Sequence, residues 1–155
     1  MTTDVSVIVT FLVTIIVAGL LGVAALEFAM WLVARGVTSR ANMVVAIGSL
    51  MTRSLDSAFM VGAFVHATAA IVFSTLYALL MLGLGLTDMP QAFMVGIGFG
   101  IFHGIVVSLI LVWVVSDTHP LEEFKKASLA VGLSHFAGHV AYGAVVGLVV
   151  GVSPL

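Results

Sequence analysis

The chain has 155 residues, 62% of them hydrophobic and 8% charged, with a formal net charge of −2 and a mean hydropathy of +1.31. So few charges cannot cover a soluble domain, which averages about 25% charged residues, and five Lys and Arg exclude the basic patch a nucleic-acid partner needs. Without cysteine there are no disulfides, thiolate metal sites or thiol redox chemistry.

The first apolar block runs from Val5 to about Ala34. Its start, "MTTDVSVIVTF", has no basic n-region, and the run exceeds the h-region of a cleaved signal peptide, so a retained spanning helix is expected. Glu27 lies inside it. The segment that follows, "SRANMVVAIGSLMTRS", carries Met43, Val44, Ile47 and Leu50 at helical spacing between arginines, with Ser39 as a candidate N-cap. That pattern predicts a short amphipathic helix lying in the membrane interface, the alternative being an early start to the second span.

The second block covers about Leu55 to Leu84 and contains His66, and the third covers Gln91 to Val115 and contains His103. "FMVGAFVH" (Phe59–His66) is echoed by "FMVGIGFGIFH" (Phe93–His103). The fourth block, Ala127 to Val152, contains His135 and His139. Each block exceeds the roughly 20 residues that cross a bilayer, and Pro90, Pro120 and Pro154 all sit at block edges. Only helices or closed barrels satisfy backbone groups in lipid, and the alternation of a barrel is absent. The expectation is one all-α domain over residues 1–155, a bundle of four transmembrane helices.

Arg35, Arg40 and Arg53 lie in the first connection and Lys125 and Lys126 in the third; the termini and "GLGLTDMP" have no basic residue. The positive-inside rule puts the first and third connections in the cytoplasm and both termini on the outer side, as in an inner (plasma) membrane protein. The polar segment "SDTHPLEEFKK" holds Asp117, His119, Glu122 and Glu123; Pro120 with the two glutamates reads as a helix start, and a surface divalent-metal site is the alternative. Gly100/Gly104, Gly143/Gly147 and Gly147/Gly151 mark faces where helices approach closely, within the bundle or between copies in a homo-oligomer or larger membrane complex.

The ionisable residues inside the blocks are the most informative feature. Counted from the cytoplasmic ends at 1.5 Å per residue, His66, His103 and His139 lie about 16–20 Å deep, and Glu27 and His135 about 10–12 Å deep. His135 and His139 share a helix face by their i, i+4 spacing. Such groups are costly in lipid and face the interior with partners; Thr68, Ser74, Thr75, Tyr77, Ser108 and Tyr142 are candidate hydrogen-bonding neighbours. Three readings stay open. The histidines act as polar glue between helices in a purely structural subunit. His66, His103 and His139 hold a metal ion or a b-type haem. Or Glu27 and His135 feed the three deeper histidines in a proton relay, or line a small-solute path, in an oligomer. No P-loop, GxSxG, HExxH or strand-borne GxGxxG occurs, so no enzymatic activity is expected.

"AIGSL", "HATAAIVFSTLYALL", "GIFHG", "HP" and "HVAYGAVVGLV" together resemble a family of small four-helix prokaryotic integral membrane proteins, over roughly residues 10–150. The resemblance implies the four-span architecture and the positions Gly48, His66, Tyr77, His103, His119, Pro120, His139, Tyr142 and Gly143, with no activity attached; Glu27 and His135 lie outside its pattern.

Overall fold

A computed structural model describes residues 2–35, 43–125 and 128–155. Their elements are α1 (Thr2–Arg35), α2 (Met43–Thr52), α3 (Ala58–Leu84) and α4 (Gln91–Ile110). The last of these runs on through a π-helical turn, Leu111–Val115, into α5 (Ser116–Thr118); a 3₁₀ turn at Glu122–Phe124 precedes α6 (Leu129–Val152). Among the described residues there is no strand. Val5–Val33, Ala58–Leu84, Gln91–Thr118 and Leu129–Val152 are each long and apolar enough to cross a membrane. The short apolar α2 is a helix of its own rather than an early start to α3, because the chain turns through Arg53 and Ser57, both with positive φ, between the two. Ser39 and Arg40 lie outside the described residues, as do Lys126 and Ala127.

Local chemistry sets the helix ends. α3 stops at Gly85, whose φ of 67° suits glycine. There the Gly85 N–H donates to Leu82 O and the Leu86 N–H to Met81 O, a Schellman closure. The third span outlasts its expected end at Val115. Ser116 Oγ donates to Val112 O and Thr118 Oγ1 to Val114 O, so hydroxyls hold carbonyls of the preceding turn where the helix widens. The expected helix start at Pro120, Glu122 and Glu123 is corrected: Pro120 lies before the 3₁₀ turn, which holds only Glu122, Glu123 and Phe124, and α6 begins at Leu129. His119, ahead of the proline, is extended, as its position before Pro120 favours.

α6 is the most buried of the four long helices and packs against both α4 and α1; α3 lies on α1 and barely touches α4. Glycine decides the α4–α6 contact. A Cβ on Gly96 would lie 2.8 Å from Gly147 Cα, and one on Gly143 would lie 2.8 Å from Gly100 Cα, so two backbones meet with no side chain between them. The glycine faces singled out in the sequence therefore face each other within one chain.

The wider gap between α3 and α4 is filled by rings. Phe73 packs on His103 with ring centroids 4.0 Å apart, and Tyr77 on Phe99 at 5.1 Å. α2 also sits on α3 through glycine: a Cβ on Gly48 would strike Ala58 O, and one on Gly62 would strike Val44 O. The face of α2 turned to protein is Met43, Ala46, Gly48 and Ser49, while Leu50 and Met51 are exposed. Small residues, and not the largest apolar ones, thus set which side of α2 packs.

Candidate functional site

Five of the membrane-depth polar residues assemble in two linked groups. In the first, His103 of α4 and His139 of α6 meet edge to face with ring centroids 4.5 Å apart. Gly100 and Gly104 make this approach possible, because they let α4 lie against the backbone at His139 and Phe136. On its other side, His103 Nδ1 is 3.1 Å from the Tyr77 hydroxyl of α3. Tyr142, edge to face with Tyr77 at 5.8 Å, donates its hydroxyl proton to Ala70 O.

In the second group, His66 of α3 stands beside Glu27 of α1, with Nδ1 and Oε1 3.0 Å apart. The two atoms are close enough for an ion pair but are not aligned as a hydrogen bond. The reason His66 turns to Glu27 is topological: α3 packs on α1 and hardly on α4, so its ring reaches α1 first. His135 of α6 lies within Coulombic range of both Glu27 and His66, and His139 within range of His135, His66 and His103. The rings of His135 and His139 are 6.5 Å apart between centroids and join the two groups.

Backbone geometry fixes the tautomers on α6. His135 Nδ1 donates to Val131 O and His139 Nδ1 to His135 O, each at 2.8 Å, so in the neutral rings Nε2 carries the lone pair. His135 is 3% exposed, and its Nε2 has no hydrogen-bond partner. Glu27 Oε1 and His66 Nδ1 are likewise buried without an aligned partner.

Among the described residues, no three His, Asp or Glu side chains gather as a metal-binding group. His66, His103 and His139 come from three helices as expected; His103 and His139 are in ring contact, while His66 pairs with Glu27. The neighbouring hydroxyls divide. Ser74 donates to Ile15 O at 2.7 Å, joining α3 to α1, and Ser108 to Gly132 O at 2.8 Å, joining α4 to α6. Thr75 bonds its own helix at Ile71 O, and Thr68 is exposed on the outer face.

One contact that sequence reasoning missed lies outside the spans. His119 is 1% exposed, and its Nε2 is 3.0 Å from Ala46 O of α2 and 3.5 Å from Ser49 Oγ. The Leu121 N–H donates to His119 Nδ1 at 3.1 Å, so Nε2 carries the proton given to Ala46 O. His119 is therefore no surface ligand for a divalent ion, and Glu122 beside it pairs with Lys125. "AIGSL" and "HP", far apart in the chain, are in contact here. Their pairing would show only as co-variation, since neither segment alone encodes the other.

Fold and site together define, over the described residues, an all-helical bundle with four potential membrane spans and a row of buried and half-buried imidazoles. No protein-family model, curated protein or solved structure matches this chain.

Proposed function

We propose that this chain is a multi-pass membrane protein whose interior histidines relay protons. The observation that carries the reading is the set of buried atoms without aligned partners: Glu27 Oε1, His66 Nδ1 and His135 Nε2, one each from α1, α3 and α6. Polar glue exists to satisfy such atoms, and leaving one buried and unmet, as His135 Nε2 is, costs about 1–3 kcal/mol. A proton arriving at His135 Nε2 turns an orphan acceptor into a donor. From there His139, His103 and Tyr77 continue the succession of exchangeable groups toward the other end of the bundle. Ring separations of this size call for water between donor and acceptor.

The basic residues support an orientation. Arg35, Arg53 and Lys125 all lie at the end of the bundle opposite the chain termini and the Gly85–Pro90 connection. That end is cytoplasmic by the positive-inside rule, with α2 at the interface and the termini outside.

The test is proton flux into proteoliposomes holding a pH-sensitive dye under an imposed gradient. The native chain should exceed protein-free vesicles, and Glu27→Gln should lower the excess at least tenfold. Flux equal to that of protein-free vesicles overturns the relay.

A further inference from the structure

We infer that α2 is a cover that controls water access to the Glu27, His66 and His135 group, with His119 as the positioning residue that fastens it. The inference follows from register. Gly62, on which Val44 and Gly48 of α2 lie, is one turn from His66 on the same face of α3. Met30 is one turn from Glu27 on α1, and Val131 one turn from His135 on α6. In each case the step leads toward the same end of the bundle, the end of α1 and the beginnings of α3 and α6. Met30, Val131 and Met43 of α2 belong to one buried cluster, to which Phe124 of the α5–α6 connection also packs. Apolar and small residues thus lie one turn from the polar group on α1, α3 and α6, and α2 packs on the α3 part of that level.

α2 is held there mainly by α3. It rests on α3 through glycine backbone, and its described side-chain tie to the connection before α6 is His119, donating to Ala46 O and lying beside Ser49, which is fully buried. Phe124 backs the imidazole, with ring centroids 4.8 Å apart. Shortening His119 removes the donor and leaves Ala46 O without it, whereas glutamine retains an N–H at the reach of Nε2. The cover stands on packing alone, and only its effect on proton passage rests on the relay reading.

The chain has no native cysteine, so a single introduced thiol reports on water access without background. Val131→Cys, in the apolar layer, is labelled in proteoliposomes with a membrane-impermeant maleimide reaching the α2 end, and Val146→Cys, fully buried, serves as the second reporter. In the otherwise native chain Val131→Cys should react slowly. His119→Ala or Gly48→Ala should each speed it at least tenfold, His119→Gln should restore the slow rate, and Val146→Cys should stay unreactive throughout. Unchanged labelling with both His119→Ala and Gly48→Ala overturns the cover, as does equal acceleration at Val146→Cys, which would mean general unfolding. Faster labelling at Val131→Cys without any proton flux supports the cover and removes the relay.

Discussion

Gly143→Ala is the sharpest probe of the contact that brings His103 to His139. A methyl group there would lie 2.8 Å from both the Cα and the N of Gly100, whereas carbon atoms in contact sit about 3.5–4.0 Å apart. Gly96 O lies nearer still, and all three obstacles are backbone, so no rotamer change relieves them and α4 and α6 must part by about 1 Å. Overpacking of this kind costs about 1–3 kcal/mol. Replacing glycine by alanine within a helix returns about 0.5–1 kcal/mol, so the net loss should be about 0.5–2 kcal/mol. Gly98→Ala, on α4 with nothing within 4 Å of the added carbon, isolates the second term and should be neutral or slightly stabilising. The helix term cancels between the variants, leaving a difference of about 1–3 kcal/mol. Reversible unfolding in mixed micelles of rising SDS fraction, followed by circular dichroism, measures it. Equal midpoints for Gly143→Ala and Gly98→Ala would refute the backbone contact.

In the same assay, Tyr142→Phe removes the hydroxyl from Ala70 O and should cost about 0.6–1.7 kcal/mol, the range of hydrogen bonds between helices in membranes. Ser74→Ala cuts the α3 bond to Ile15 O and should cost a similar amount, whereas Thr68→Ala on the exposed face should shift the midpoint by less than about 0.5 kcal/mol. Glu27→Gln should raise stability by about 1 kcal/mol while lowering proton flux, because a charge in the membrane is costly and its side chain is 42% exposed. Lower stability in that variant would mean the Glu27–His66 pair is structural.

The spans were legible because continuous hydropathy and edge prolines survive any packing arrangement. Their ends were less so. The π-turn at Leu111–Val115 depends on hydroxyls further along reaching back to carbonyls, which no window average detects. The polar residues were visible as anomalies in an apolar chain, but their partners were not. Helical depth fixes height along the membrane, whereas the choice of His66 for Glu27 depends on which helices are neighbours around the bundle. The glycine spacing announced close approach without naming the opposing helix. His119 looked like part of a charged surface segment because its burial is created by α2, a partner from the other half of the chain.

The order of helices along the chain has a consequence for biosynthesis. α4 finds its main partner in α6, which follows it in the chain and leaves the ribosome later, and has little purchase on α3. Until α6 is inserted, the nascent protein carries an unfilled glycine-lined groove on α4, and His103 lacks its contact with His139. Translation halted before Leu129 leaves that groove unfilled, a mark by which a membrane protease could tell a chain without α6 from one that has it.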